Sequence, residues 1–309
     1  TQQGRLLYEF NNGTFNLTLA ELDQIEDDFP NLTETAMPIK AMKARYFYNN
    51  NQKEKAHQYA LLGSKDNPQI FFGENLKAQF FVAEKQIDSA YYYSKLAFEN
   101  LPNNMPHYNL YMNSLVAKKD IVEINKSFET VRALGGDTTI LWTIYLRCLA
   151  NVTGLGDTMT MSRAAEAFKL FPQDTTIFQL YRILTYGEQR VVQAEQLYNQ
   201  GIELYNAKDF SGSFGLFKQA FDLDPLEYTY ALNSGLALYE NGQYLEAVSY
   251  LNRIQSSQKV VLKEKALRYK GLALYKAGSF PEACATFIKL INSYPKRMYQ
   301  QEFNKYCTN

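Results

Sequence analysis

Two sets of side chains recur at regular intervals and have the chemistry to hold a ligand. Polar side chains recur every 34 positions in the first half of the chain, at Arg45, Gln79, Asn113 and Arg147. Aromatic side chains recur at intervals of 34 and 36 in the second half, at Tyr205, Tyr239 and Tyr275. The polar groups can form hydrogen bonds, and each tyrosine offers a flat apolar ring with a hydroxyl group. These residue types are typical of surfaces that bind a ligand without converting it.

The motifs that carry catalysis are absent from the sequence. It has no G-x-x-x-x-G-K-[ST], G-x-S-x-G, G-x-G-x-x-G or H-E-x-x-H segment, and its carboxylates are scattered instead of paired in an apolar run. The two histidines, His57 and His107, have no cysteine or second histidine at the spacing of zinc ligands. We therefore predict that the chain has no catalytic residues, binds no metal or cofactor, and is not an enzyme.

The three cysteines do not define a disulfide pattern. Cys148, Cys284 and Cys307 are odd in number and are separated by 136 and 23 residues, so neither a framework of bridges nor a C-x-x-C metal site can be assigned. Cys148 lies in an apolar helical segment and is predicted to be a buried thiol. The cysteines therefore do not indicate whether the protein functions in an oxidising or a reducing compartment.

The composition is that of a well-packed folded protein without net charge. Apolar residues make up 46% of the 309 residues and charged residues 21%, which excludes a disordered or fibrous chain. The 32 Lys and Arg residues balance the 32 Asp and Glu residues, so the basic field that drives nucleic-acid binding is missing. No apolar run reaches the ~18 residues of a membrane span. Because the chain begins with Thr1, we expect that a signal peptide or a membrane segment has been removed.

Both sets of candidate residues lie on a repeat of about 34 residues. Each repeat is predicted to be two amphipathic helices, and Gly242 and Gly278 are placed where a left-handed residue ends the first helix. Small residues recur where the two helices must approach closely. They are Ala44, Ala78, Gly201, Gly235 and Gly271 on the first helix, and Ala56, Ala90, Ser213, Ala247 and Ala283 on the second. Large apolar residues, Phe217, Leu251 and Phe287, are expected to fill the space between them.

The repeats form two arrays separated by a segment that fits no complete repeat. The predicted units are 1–36, 37–70, 71–104, 105–138, 139–174, 194–227, 228–263 and 264–297. The intervening residues, 175–193, are expected to hold a lone helix, Ile177–Tyr186, and the start of a single helix over Glu188–Asn206. We therefore predict an N-terminal array over 1–187 and a C-terminal array over 188–309.

The repeat resembles the tetratricopeptide repeat, most clearly in Asn233–Ile254 and Tyr269–Pro295. Both segments contain the run G-x-x-L-Y-x-x-G-x-[YF]-x-E-A. The resemblance implies an all-α, right-handed solenoid in which the first helix of every unit lines a concave groove. The resemblance would place the four polar residues in that groove in the first half of the chain. In the second half it would place the three tyrosines there, together with apolar residues such as Leu236. Two structural interpretations stay open, a solvent-facing stripe for the polar residues and packing between units for the tyrosines.

The resemblance implies a non-catalytic scaffold that binds protein or peptide partners. Asp88–Asn104 is also similar to the extracytoplasmic repeat regions of bacterial O-antigen ligase or polymerase-type membrane proteins. This implies the soluble arm of a larger membrane-associated assembly, in the periplasm or cell envelope of a bacterium, with any membrane segment outside this chain. Asn199 and Asn233 lack the lysines with which some members of the family clamp a peptide carboxylate. The alternative is an exported carbohydrate-binding module, in which the tyrosine-lined groove stacks the sugar rings of a polysaccharide.

Overall fold

The described residues of the computed structural model, 2–27, 32–33, 36–154 and 156–308, form an all-α fold. Their one β feature is an isolated bridge between Leu32 and Pro38. The helices are α1 (Gln2–Asn12), α2 (Leu19–Asp23), α3 (Ile39–Asn49), α4 (Lys53–Asp66), α5 (Phe72–Ala83), α6 (Ile87–Asn100), α7 (Met105–Lys118), α8 (Ile121–Gly135), α9 (Thr139–Thr153), α10 (Thr158–Leu170), α11 (Thr175–Tyr186), α12 (Glu188–Asn206), α13 (Phe210–Leu223), α14 (Tyr228–Glu240), α15 (Tyr244–Arg253), a 3-10 turn (Ile254–Ser256), α16 (Val260–Lys276), α17 (Phe280–Ser293) and α18 (Arg297–Cys307). The predicted fold class is confirmed.

The chain divides into two compact units, Thr1–Gly154 and Leu155–Asn309, here called the N-terminal and C-terminal units. The first contains α1 to α9 and the second α10 to α18. The sequence places the boundary between the two repeat arrays at residue 187, inside the C-terminal unit, so that boundary stays a prediction. Among the described residues, no helix is both long and apolar enough to cross a membrane.

Six helix pairs use the same turn between their first and second helices. The first or second residue after the first helix is left-handed in every pair. These residues are Asn51, Lys85, Lys119, Lys208, Gly242 and Gly278, with φ between 55° and 80°. The next backbone N–H donates to a carbonyl five residues earlier, as Gln243 does to Leu238 at 2.9 Å. This bond satisfies a carbonyl at the helix end. The predicted role of Gly242 and Gly278 is confirmed, and lysine or asparagine takes the same conformation in the other pairs.

The small residues of the C-terminal repeats lie at close helix contacts, as the spacing predicts. A Cβ atom added at Gly235 would lie 2.8 Å from Leu251 Cγ, and one added at Gly201 would lie 2.6 Å from Phe217 Cε1. Atoms cannot approach so closely, so only glycine allows the large side chain of the second helix to fill this position. Ala247 and Ala283 are fully buried. The positions of the small and large residues within each pair are therefore confirmed.

The helix that precedes the C-terminal repeats is anchored to them by a buried ion pair. α11 and α12 begin and end almost where the sequence places them, with Gly187 between them. Arg182 of α11 is 4% exposed, and its Nε donates to Asp224 Oδ2, at the end of α13, at 2.5 Å. Its Nη2 also donates to the hydroxyl of Tyr230 in α14 at 3.2 Å. α11 is thus bound to helices that the sequence assigns to the other array.

A disulfide joins the last two helices, contrary to the expectation that no cysteine pairing could be assigned. Cys284 of α17 and Cys307 of α18 are bonded, with their Cα atoms 5.6 Å apart. α18 packs on α17 after a sharp turn, which brings together cysteines that are 23 residues apart. Cys148 is a buried free thiol, as predicted, and burial raises its pKa to about 12.

Candidate functional site

A cavity in the N-terminal unit contains two residues of the predicted polar series. We call it the Arg45 cavity, and its volume is about 660 Å³. It is lined by Phe10, Phe15, Met37, Arg45, Asn49, Ile70, Phe72, Asn75, Leu76, Gln79, Asn104, Pro106 and His107. Arg45 lies on α3, Asn75 and Gln79 on α5, and His107 in the first turn of α7. First helices of three successive pairs therefore supply its polar groups.

A chain of hydrogen bonds connects these polar groups, and we call it the polar relay. Arg45 Nη2 donates to Gln79 Oε1, and Gln79 Nε2 donates to Asn75 Oδ1 at 2.6 Å. Asn75 Nδ2 then contacts His107 Nδ1 at 2.9 Å, and His107 Nε2 contacts the carbonyl of Ile70 at 2.9 Å. Because a carbonyl can only accept, Nε2 carries the proton and Nδ1 accepts from Asn75. Every side chain in the relay has a defined hydrogen-bonding direction.

Burial keeps the imidazole of the relay neutral. His107 is 3% exposed and Asn75 is 4% exposed. Burial lowers the pKa of His107, because the charged imidazolium would lose its hydration. A neutral ring is also what the relay requires, since only neutral imidazole leaves Nδ1 free to accept a hydrogen bond. The relay therefore holds Gln79, and through it the Arg45 guanidinium, in one orientation.

Arg45 is a half-buried cation without an acidic partner in the described part of the chain. Its hydrogen bond goes to the neutral amide of Gln79, and its guanidinium carbon lies 5.1 Å from the centre of the Phe80 ring. Burial lowers the pKa of Arg45, so the surroundings do not compensate fully for its lost hydration. A cation in this position can gain from a carbonyl or carboxylate that enters the cavity.

Part of the lining of the Arg45 cavity is aromatic. The rings of Phe10 and Phe72 meet edge to face with centroids 5.5 Å apart, and Phe10 meets Phe15 at 5.9 Å. Phe10 and Phe15 come from α1 and the following loop, within the first predicted unit, and Phe72 comes from the start of α5. The cavity is therefore amphipathic, with aromatic rings and the polar relay in one lining. Such a site fits an apolar side chain next to a backbone carbonyl or a carboxylate.

The remaining two members of the polar series lie outside this cavity. Asn113 on α7 and Arg147 on α9 are exposed, and neither lines the Arg45 cavity. Asn75 and His107 were not among the predicted site residues, although they are more deeply buried than Arg45. The spacing of Asn75 four residues before Gln79 was the available signal, since residues at this spacing share a helix face. The long-range bond to His107 had no signal in the sequence.

Each predicted tyrosine packs against the ring that begins the second helix of its own pair. Ring centroids are 5.3 Å apart for Tyr205 and Phe210, 5.6 Å for Tyr239 and Tyr244, and 5.2 Å for Tyr275 and Phe280. All three contacts are edge to face, and all three tyrosines are half-buried.

Neighbouring aromatic rings and the helical core enclose this series further. Tyr239 also contacts Tyr269 at 5.5 Å, and Tyr275 contacts Tyr306 of α18 at 4.7 Å. Leu236 is buried in the core among the helices. These contacts explain the regular spacing by packing at the turns, and a role of the tyrosines in a groove stays a prediction.

Comparison with known proteins identifies the repeat in the C-terminal unit. Residues 198–259 match the family model of the tetratricopeptide repeat. This range begins in the middle of α12 and ends at the residue before α16. This stretch is therefore composed of tetratricopeptide repeats, as the motif predicts. No protein with a curated description matches the sequence.

Several solved structures are similar to the chain at low sequence identity. The tetratricopeptide repeat domain of P58(IPK) is 12% identical, with 99% of this chain and 86% of that one covered and a TM-score of 0.41. A tetratricopeptide repeat protein from Parabacteroides merdae ATCC 43184 is 9% identical, covering 87% and 98%, with a TM-score of 0.38. The TPR2AB-domain:pHSP90 complex of yeast Sti1 is 13% identical, covering 86% and 95%, with a TM-score of 0.33.

Proposed function

We propose that this chain, which carries tetratricopeptide repeats in residues 198–259, is a non-catalytic scaffold that binds a protein or peptide partner. The Arg45 cavity is the site at which the partner is anchored. The observation that carries the proposal is a half-buried arginine that lines one cavity together with Phe10, Phe15 and Phe72 and has no acidic partner in the described residues. The balanced charge of the chain favours a protein partner over a nucleic acid.

The chemistry of the cavity matches one apolar side chain of a peptide and the adjoining carbonyl or carboxylate. The hydrogen bond from Arg45 to the relay uses Nη2. Other N–H groups of the guanidinium can then donate to the peptide. The amides of Asn49 and Asn104 line the same cavity and add further donors. The apolar side chain of the peptide lies against Phe10 and Phe72, where removal from water stabilises the complex.

The polar relay contributes to affinity by positioning Arg45 before the partner arrives. A guanidinium on a flexible side chain must otherwise lose its rotational freedom on binding, which weakens affinity. In this protein the bond to Gln79 restricts the side chain, and Asn75 and His107 restrict Gln79 in turn. The exposed side chains of Asn113 and Arg147 offer further contacts along the first helices of the next pairs.

The alternative function, carbohydrate binding, depends on Tyr205, Tyr239 and Tyr275. Stacking of a sugar requires an open ring face, and these rings are half-buried and engaged in edge-to-face contacts. We rank this function second for that reason. The proposal also includes a role for the chain as the soluble arm of an envelope assembly. The similarity of Asp88–Asn104 is the sole support for this role.

The test is selection from a display library of random peptides with free carboxyl termini, followed by calorimetry on the enriched peptides. We expect peptides with an apolar residue near the carboxyl terminus, and an Arg45→Met variant that binds them about tenfold or more weakly. Lys53→Met, at an exposed position of α4, serves as the matched control and should bind normally. Failure to enrich any peptide, together with selective binding on a glycan array, would replace the scaffold with the carbohydrate-binding module.

A further inference from the structure

The C-terminal unit contains a second pocket, remote in sequence from the Arg45 cavity, into which three lysines converge. It lies between the end of α15, α16 and α17 and has a volume of about 280 Å³. Its lining comprises Leu251, Ile254, Gln255, Lys263, Ala266, Leu267, Lys270, Lys289, Ser293 and Tyr294. Lys263 and Lys270 are seven residues apart and therefore share one face of α16, and Lys289 faces them from α17. We call this site the lysine pocket.

The positive charge of the lysine pocket is not neutralised by the described residues. Lys263, Lys270 and Lys289 form none of the ion pairs found among those residues, whereas the buried or half-buried cations Arg182, Lys259 and Arg268 of the same unit are paired. The acidic side chains near α16 are engaged elsewhere. Glu264 bonds to Lys296 and to the hydroxyl of Tyr299, and Glu302 forms a two-pronged bond with Arg268. The pocket thus combines three like charges with no local anion.

Converging lysines work against the stability of the folded chain. Lys270 is half-buried, and burial lowers its pKa, with the nearby charge of Lys289 lowering it further. Each effect disfavours the charged ammonium in the folded state. A group of residues that lowers stability and forms no compensating contact is typical of binding sites, where the ligand supplies the missing partner.

The lysine pocket also has an apolar floor and residues with neutral hydroxyl groups. Leu251 and Ile254, which are buried, form the floor with Leu267, and Ser293 and Tyr294 belong to the same lining. Lysine ammonium groups are compact point charges that can approach an anion from several directions. A tetrahedral phosphate with about two negative charges at neutral pH matches such a set better than a planar, singly charged carboxylate, for which arginine is better suited.

We infer that the lysine pocket binds a small phosphomonoester, with the phosphate between Lys263, Lys270 and Lys289 and an apolar portion of the ligand on the floor formed by Leu251, Ile254 and Leu267. The site is independent of the peptide-binding function proposed for the N-terminal unit. A phosphorylated small molecule would then bind to the scaffold in addition to its peptide partner.

The test uses isothermal titration calorimetry of the full chain with phenyl phosphate, inorganic phosphate and benzoate. Phenyl phosphate is expected to bind about tenfold more tightly than either of the others, because only it has both a dianionic group and an apolar ring. Lys270→Met should weaken phenyl phosphate binding by about tenfold or more while leaving the melting temperature unchanged or higher. Lys265→Met, at an exposed position of the same helix outside the pocket, should change the affinity by less than about twofold.

Three results would overturn the inference. The first is no saturable binding of phenyl phosphate, and the second is tighter binding of benzoate. The third is equal weakening by Lys265→Met and Lys270→Met, which would show a diffuse electrostatic attraction instead of a site. If Lys270→Met does not fold, the exposed Lys289→Met decides the question, because its loss of charge leaves the helix contacts intact.

Discussion

Two polar networks, one from each unit, end in different ways, since one pairs its charges inside the core and the other ends at a cation that lines a cavity. In the C-terminal unit, Arg182 and Asp224 neutralise each other inside the helical core. In the N-terminal unit, the relay from His107 through Asn75 and Gln79 ends at Arg45, whose charge faces a cavity. A network whose charges cancel holds helices together. A network that ends in an unmatched charge at a cavity has the capacity to bind a ligand.

Equivalent positions in the repeat therefore need not have equivalent roles. Arg45 and Gln79 occupy the same position in their repeats as Leu236 does in its own. The first two contact each other beside a cavity, while Leu236 is 5% exposed in the core. The helix pairing is common to both units, and the side chain at each position decides whether the space is filled by the core or left as a cavity.

The largest expected effect comes from removing the cation of the buried ion pair. Arg182→Met leaves Asp224 as an unpaired carboxylate whose Oδ1 already has no hydrogen-bond partner in the described residues. We expect the free energy of unfolding of the C-terminal unit to fall by about 3–5 kcal/mol, measured by urea denaturation. Replacing both residues, as Arg182→Met with Asp224→Leu, should recover much of this loss, and Arg297→Met, at an exposed position of α18, is the control.

The same ion pair predicts how the effect depends on pH. Burial raises the pKa of Asp224, and the charge of Arg182 opposes that increase. Without Arg182 the folded-state pKa rises further above the unfolded value. The folded variant then binds a proton more readily than its unfolded chain as the pH falls. The destabilisation by Arg182→Met should therefore be largest near neutral pH and decrease in acid. If the loss in free energy of unfolding does not change with pH, the variant has lost a packing interaction and not a charge interaction.

The disulfide gives the next largest expected effect and belongs to the C-terminal unit alone. Replacing Cys284 and Cys307 together with serine removes the bridge between α17 and α18. For a loop of this length the loss should be about 2–4 kcal/mol, seen as a lower melting temperature by circular dichroism. A reducing agent should have the same effect on the original protein and none on the double variant. Identical melting curves with and without reductant would contradict the pairing.

Interrupting the polar relay should have a smaller effect on the free energy of unfolding. Asn75→Leu leaves His107 Nδ1 and Gln79 Nε2 without their partners, at a cost of about 1–3 kcal/mol. Asn113→Leu, at an exposed position of the same polar series, should change stability by less than about 0.5 kcal/mol. If both variants behave alike in chemical denaturation, the relay is not a cooperative unit.

The smallest predicted effect concerns the turn that both units share. Gly242→Ala should cost about 1 kcal/mol from backbone strain, since the added Cβ would meet no atom within 4 Å. Lys85→Gly in the N-terminal unit and Lys208→Gly in the C-terminal unit should each stabilise by up to about 1 kcal/mol, because glycine adopts a positive φ without strain. Differential scanning calorimetry would show whether the two glycine variants agree. Opposite signs would mean that the turns are not equivalent.

The sequence by itself determined the helix pairs, their small-residue contacts and the break at Gly187. These features depend on residues that are close along the chain or separated by one repeat. The hydrophobic period, the left-handed turn residue and the size of the facing side chain each specify local geometry. For this reason the predicted helix Glu188–Asn206 has the same bounds in the structure.

Only the tertiary structure decided which distant polar groups meet. Asn75 and His107 are 32 residues apart, Arg182 and Asp224 are 42 apart, and Cys284 and Cys307 are 23 apart. Each pair lies on different helices, and its atoms come within bonding distance only through the angle at which those helices pack. Helix period constrains which face a residue occupies but not that angle, because small changes in crossing geometry move side-chain tips by several ångströms. The relay, the ion pair and the disulfide are therefore products of packing that no spacing in the sequence specifies.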